Sequence, residues 1–450
     1  MTRWLAEYAW LPDHAEPTPD VLIEAEGGRI TAVTPLVGGG APAAGVEVLG
    51  DAVRLPGLTL PGLANAHSHA FHRALRGRTH GGRGDFWSWR DVMYDVAARL
   101  DPDSYLALAR AAYAEMALAG ITCVGEFHYL HHGPEGRPYA DPNAMSAALV
   151  EAAAHAGIRV TLLDTAYLTA SVDGAELAGT QRRFGDGDAL RWAERVDAFR
   201  PENDHARLGA AIHSVRAVPA EQLATVAGWA DRNGVPLHVH LSEQPAENDA
   251  CRAAHGCSPT RLLADHGVLG PHTTAVHATH PTSADVALLG ESRTGVCLCP
   301  TTERDLADGI GPARRMAEAG SPLSLGSDSH AVVDLFEEAR AVELDERLRT
   351  RKRGHFSAAE LVTAATVGGH AALGWGDAGR LSVGDRADLV TVRLGSARTA
   401  GVPPVGAFFA ATAADVTHVV VDGRTVVADG RHLTVDVPAE LHAAIRGVTA

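Results

Sequence analysis

Four separated segments of this chain each run from a short apolar or small-residue stretch into His, Glu or Asp. That recurrence limits the fold. The segments are LPGLANAHSHAF with His67 and His69, VPLHVHLSEQ with His240 and Glu243, TTAVHATH with His277, and LSLGSDSH with Asp328. A short apolar run bounded in this way reads as a buried strand, so each polar group stands at a strand end. A (β/α)8 barrel brings the C-terminal ends of its strands to one mouth, and the mouth carries the chemistry. There the six residues form one catalytic metal site. Neutral imidazoles and a carboxylate suit Zn²⁺, with a coordination position left for water.

The rest of the chain fits that reading. Strand-like runs at 59–65, 121–126, 158–164, 207–212, 235–240, 273–277, 294–298 and 322–326 alternate with helix-like segments, as a parallel α/β domain requires. Residues 103–119 and 143–156 are the clearest helices, Ala-rich with apolar spacing near three and four. Both ends of the chain look different. VLIEAEGGRITAVTP near the start, and DLVTVRL then THVVVDGRTVVADG near the end, read as strands, with an Asp-Gly hairpin turn at 422–423. The two ends can pair as one small β domain. The expected division is 1–58 and 380–450 for that domain and 59–379 for the barrel. The Gly/Arg-rich stretch RGRTHGGRGDFWSWRD at 76–91 reads as a loop that serves as a lid.

Composition excludes several classes. No run of about 18 apolar residues is present, so no membrane partner is expected. The opening MTRWLAEYAWLPDHAEPTPD lacks the continuous apolar stretch of a signal peptide, and a cytoplasmic enzyme is expected. A net charge of -16, with RTRKR at 349–353 the one basic run, argues against nucleic acid. That run reads as a solvated helix end. Five scattered cysteines argue against a disulfide scaffold, and Cys297 and Cys299 read as buried thiols. Of 39 basic residues only Lys352 is lysine, and it lies outside any GxxxxGK motif. Schiff-base, P-loop and carboxylated-lysine chemistry would all fall on it, so a mononuclear site is favoured. The expected assembly is a homodimer.

The site residues carry separate weights. In His67-Ser-His69 a strand period of two points both imidazoles to one side. A lone HxH says little among 24 histidines, and His238-Val-His240 is a second instance; His238 reads as a deeper supporting group or a satisfied core histidine. Glu243, three residues after His240, can reach water or substrate while the histidine binds metal. Asp328, at the end of an apolar strand, needs a partner, which a metal supplies. Arg216 in HSVRAV offers a guanidinium fork for a carboxylate, with a surface ion pair as the alternative. Arg90 reads equally as a structural ion pair, and Tyr129 as a packed tyrosine. His128, His131 and His132 read as lining a polar mouth or surface rather than binding a second metal.

Taken together, HxH, HxxE, a later strand-end His and SDSH resemble the amidohydrolase superfamily, as do PGLANAHSH near the start and DAGRLSVGDRADLV near the end. The resemblance covers almost the whole chain and implies an α/β fold, a (β/α)8 TIM-like barrel with a small β-sandwich domain formed by both termini. HSHAFHRALRG, FWSWRDVMY, GEFHYLHH, HSVRAV and HLSEQ in combination resemble the formimidoylglutamate deiminases of histidine degradation. That likeness implies His67, His69, His240 and Asp328 as ligands of one Zn²⁺ per chain. It implies Glu243, His277 and Asp328 as catalytic. It implies that Arg216 holds a carboxylate of a small dicarboxylate substrate, with His72, Arg90, Tyr129 and His213 lining the pocket. Where the family usually has Gln, this chain has His72, which can donate or accept but only through one tautomer at a time. Another deaminase of the superfamily, acting on guanine or a related ring, is the alternative, and a non-catalytic scaffold on the same fold is the reading from a different class.

Overall fold

In the computed structural model, which describes residues 1–36, 51–79, 86–201 and 204–449, two eight-stranded sheets divide the chain. The second is the barrel. Its strands are β5 (Leu63–Ser68), β6 (Ile121–His128), β7 (Arg159–Ala166), β8 (Ala206–Ile212), β9 (Leu237–Leu241), β10 (Thr273–His277), β11 (Gly295–Leu298) and β12 (Leu323–Leu325). All pair in parallel in sequence order. A bridge between Ser68 and Asp328 joins the first strand to the segment after the last. Strands β6 and β7 are buried along their whole length, as expected of parallel strands covered on both faces.

The first sheet holds the strands of both termini: β1 (Thr2–Ala9), β2 (Thr18–Glu26), β3 (Arg29–Pro35), β4 (Val53–Pro61), β13 (Leu389–Val392), β14 (Val416–Val421), β15 (Arg424–Ala428) and β16 (Arg431–His432). They form the β-sandwich. Antiparallel pairing of β13 with β4 ties the C-terminal strands to the N-terminal ones. The expected turn lies between β14 and β15, with positive φ at Asp422 (48°) and Gly423 (74°), the backbone a two-residue hairpin needs.

One expected strand divides. The run 59–65 covers the end of β4 and the start of β5, with Gly62 between them. A Cβ there would meet Thr122 Oγ1 at 2.4 Å and Asp388 Cβ at 2.9 Å. Both strands are apolar and buried, so the break is set by what packs against it. The clearest helices form at Pro102–Leu118 and Ala144–Ala156. The first starts on a capping box between Asp101 and Ser104, with proline in its first turn. The expected lid is in part helix Phe86–Arg99, and residues 80–85 lie outside the described residues. RTRKR falls at the exposed end of helix Leu335–Thr350, and all five cysteines are free. Among the described residues no helix is long and apolar enough to cross a membrane.

Candidate active site

The residues at the barrel mouth converge. His67 Nε2 lies 3.1 Å from His240 Nε2 and 3.2 Å from Asp328 Oδ1. His69 Nε2 lies 3.3 Å from the same oxygen. Ligands set about 2.0–2.2 Å from one tetrahedral centre stand a little over 3 Å apart, so the spacing fits a divalent cation. The donor chemistry fits as well. His69 Nδ1 donates to Phe127 O and His240 Nδ1 to His213 O, both at 2.9 Å. Each ring therefore turns the lone pair of Nε2 to the centre, as metal-binding histidines do. Burial lowers His67 to about 3 and takes His240 well below the usual range, so these rings are neutral. Burial alone would raise Asp328, but hydrogen bonds with His67 and His69 outweigh it and keep the carboxyl well below its ordinary value. Ligand atoms of His67, His240, His277 and Asp328 lie within 4.8 Å of one another, as do those of His69, His72 and Asp328. Asp328 is common to both groups.

Close approach of β12 to β5 makes this possible. At Gly326 a Cβ would stand 2.8 Å from His67 Cβ and 3.0 Å from Cys299 Sγ. The turn that follows is strained, with φ of 40° at Asp328 and 57° at His330. Ser242, His277 and Ala278 also have positive φ, at 50°, 69° and 49°. Left-handed non-glycine backbone costs on the order of 1–3 kcal/mol per residue, and here it clusters at the strand ends that aim the side chains.

His277 stands beside the ligands. Its Nε2 is 3.9 Å from both Glu243 Oε1 and Asp328 Oδ2, and its Nδ1 is 3.5 Å from Glu303 Oε1. Burial opposes its charge, yet Glu243, Glu303 and Asp328 raise it well above the ordinary histidine value. Burial raises Glu243, which suits a carboxyl that passes protons. Glu303 did not stand out in the sequence. It lies in the short helix after β11, where Glu243 comes just after β9, and a carboxylate in the segment after a buried strand was the available signal.

A cavity of about 530 Å³ opens from these groups. His69, Glu243, His277 and Asp328 form one end of its lining; Arg90, Tyr94, Tyr129, Tyr167, His213 and Arg216 also line it. His72 is buried, and its Nε2 lies 2.9 Å from Tyr129 Oη. It lines the cavity itself and braces Tyr129 beside it. His213 packs against Tyr167, with ring centroids 4.3 Å apart. Arg216 Nε has no hydrogen-bond partner among the described residues. Arg90 lies over the Tyr94 ring at 5.4 Å.

Other expected groups fall elsewhere. His238 is a core histidine whose Nε2 donates to Ala372 O at 2.9 Å, while its Nδ1 has no hydrogen-bond partner among the described residues. His128, His131 and His132 do not line a mouth or surface: they are 0%, 1% and 5% exposed. The helical layer covers them, and strand alternation alone does not reveal that cover. Arg195 donates to both oxygens of Asp164, at 2.8 and 3.0 Å, and to Asp186 at 2.9 Å. Asp186 in turn accepts from His132 at 2.9 Å. Although His128, His131 and Asp164 are grouped closely enough to hold an ion, the guanidinium already neutralises that carboxylate.

Comparison with known proteins adds the lineage of this site. The family described as Amidohydrolase family matches residues 58–426. A formimidoylglutamate deiminase of Pseudomonas aeruginosa is 40% identical over 397 residues, 85% of this chain and 87% of that protein. Among solved structures, an amidohydrolase from Brucella melitensis aligns with a TM-score of 0.88 at 32% identity, covering 100% of both chains. An adenosine deaminase from Xanthomonas campestris with bound zinc aligns with a TM-score of 0.83 at 25% identity, covering 99% of this chain and 97% of that one.

Proposed function

The chain belongs to the amidohydrolase family, and on that premise we propose that it hydrolyses N-formimidoyl-L-glutamate to N-formyl-L-glutamate and ammonia, as a cytoplasmic step of histidine degradation. The observation that carries this reading is the composition of one cavity. It combines the histidine and carboxylate groups of the metal cluster with two arginines, Arg90 and Arg216. An amidine joined to a dicarboxylate needs both: acid/base groups at the carbon to be hydrolysed, and guanidinium forks for the carboxylates. The relative at 40% identity carries the same activity in its name.

The residues present fit a divalent metal, for which we propose zinc at one per chain, held by His67, His69, His240 and Asp328. Such a cation supplies the Lewis acidity that makes water nucleophilic near neutral pH. In the reaction, water adds to the formimidoyl carbon and the C=N bond becomes C–N. Asp328 takes a proton from the water, with His277 beside it. Glu243 carries a proton to the terminal nitrogen. The second water proton passes to the same nitrogen, the C–N bond breaks, ammonia leaves, and the carbon keeps the new oxygen as a formyl group. His277 steadies negative charge on that oxygen as the tetrahedral centre forms. Arg216 binds a glutamate carboxylate, with His72, Arg90, Tyr129 and His213 around it.

An ammonia-release screen of the zinc-loaded protein tests the assignment, with formimidoylglutamate, formimidoylaspartate and guanine as substrates. Formimidoylglutamate should react fastest. Turnover of guanine without turnover of formimidoylglutamate would move the protein to the ring deaminases. No ammonia from any of the three would leave the deiminase reading without support.

A further inference from the structure

Two of the inward-facing imidazoles are oriented by a backbone carbonyl on Nδ1: Phe127 O for His69 and His213 O for His240. His277 has no such carbonyl, and among the described residues its Nδ1 forms no hydrogen bond. What stands near that nitrogen is the carboxylate of Glu303, with Oε1 3.5 Å away. A ring shift of well under 1 Å would bring the pair within ordinary hydrogen-bond distance. On the opposite side, Nε2 faces Glu243 and Asp328, each at 3.9 Å.

Glu303 is held in place for this contact. Its side chain is 8% exposed. It lies in helix Pro300–Asp305, where Oε1 also accepts from Cys299 N at 3.1 Å and its own N–H donates to Cys299 O at 3.0 Å. Its carbonyl accepts from Asp308 N at 2.8 Å. The bond from Cys299 N satisfies a backbone donor at the start of the helix, so Glu303 could serve only to start this helix. Glutamine would do that equally well, because its amide oxygen also accepts. Only the carboxylate offers acceptors alone, together with a charge that holds the Nδ1–H of His277.

We propose that Glu303 is a positioning residue that holds the Nδ1–H of His277 and so turns Nε2 toward the reacting carbon. For the identity of that carbon the inference rests on the deiminase reading. For the orientation of the ring it does not.

The test compares zinc-loaded wild type, Glu303→Gln, His277→Asn and the double variant. Loss of a partner behind a site histidine typically costs about 10–100-fold in activity. Glu303→Gln should lower kcat by that factor with KM changed less than about twofold, while zinc content stays at the wild-type level. In the His277→Asn background the same substitution should cost less than about twofold, since the group it acts through is gone. Protein labelled with ¹⁵N-histidine gives a readout independent of turnover, with His277 assigned as the resonances missing from His277→Asn. The Nδ1–H of His277 should show the downfield proton shift of a hydrogen bond to a carboxylate in wild type and lose it in Glu303→Gln. Glu303→Asp keeps the charge and should retain part of that shift, which decides the question if Glu303→Gln does not fold.

Three results would overturn the proposal: equal losses from Glu303→Gln in both backgrounds, an unchanged Nδ1–H shift, or loss of zinc from the Glu303→Gln protein. If wild type releases no ammonia from formimidoylglutamate, the substrate reading fails, and the ¹⁵N spectrum still decides the role of Glu303.

Discussion

Asp328 is joined to His67 twice: its backbone N–H donates to the His67 carbonyl at 3.0 Å, and its Oδ1 lies 3.2 Å from His67 Nε2. The first contact closes the barrel between β5 and the segment after β12. The second brings two of the proposed metal ligands together. Closing the fold and assembling the site are thus one event, and His69 N adds a third link by donating to Asp328 O at 3.2 Å.

Asp328→Asn therefore separates two roles. The backbone contacts remain, so the barrel should close and the protein should fold. Turnover should be abolished, because an amide cannot take a proton from water. Elemental analysis beside an ammonia assay checks this. Near-normal activity in a zinc-loaded Asp328→Asn protein would remove Asp328 from the mechanism. The same analysis on active wild type should find one equivalent of metal, and two at full occupancy would refute the mononuclear site.

Glu243→Gln should leave the fold and metal content intact and lower kcat by about 10²–10⁴-fold, the usual worth of a general acid/base group. Glu243 follows His240 by three residues and lies 3.9 Å from His277, close to the chemistry without being needed to hold the cation. A loss below about tenfold in kcat would mean that another group moves the proton.

Much of this site could be read in the sequence, because strand ends in a parallel barrel all point to one mouth. His67, His240 and His277 lie at the ends of buried strands, and His69, Glu243 and Asp328 just beyond such ends, so knowing the fold was enough to bring them together. What stayed hidden depended on the helical layer. The reach of Glu303 to His277 comes from the short helix Pro300–Asp305 folding its first turn toward β10. Likewise, His128 alternates out of β6 as an exposed residue would, yet the layer outside buries it completely.

The covered cluster predicts the acid limb of stability. Burial works to raise Asp164, but the charge and hydrogen bonds of Arg195 bring it down from 3.8 to about 2. Between those values the unfolded chain binds more protons than the folded one, so the contribution of Asp164 is present above pH 3.8 and lost as pH falls toward 2. Asp164→Asn should cost about 3–5 kcal/mol at pH 7, because it leaves a buried guanidinium short of a partner. In urea titrations the gap between wild type and variant should narrow by about 1 kcal/mol at pH 3. A gap independent of pH would show that Asp164 is not held ionised by Arg195.

Arg216 tests the substrate. It lines the same cavity as Glu243 and His277, and its Nε has no partner among the described residues. If it grips a substrate carboxylate, Arg216→Met should weaken formimidoylglutamate binding by about 1.5–3 kcal/mol, the worth of a charge-assisted hydrogen bond. That is roughly 10- to 150-fold. The loss should fall mainly on KM, since the contact is equal in the ground and transition states. Lysine should rescue in part, keeping the charge without the planar fork. A small formamidine without carboxylates should react slowly with wild type and barely respond to the substitution. Measuring kcat/KM for both compounds with wild type and Arg216→Met decides the matter. Equal losses on the two would show that Arg216 supports the site rather than reads the substrate, and the glutamate assignment would lose its main chemical support.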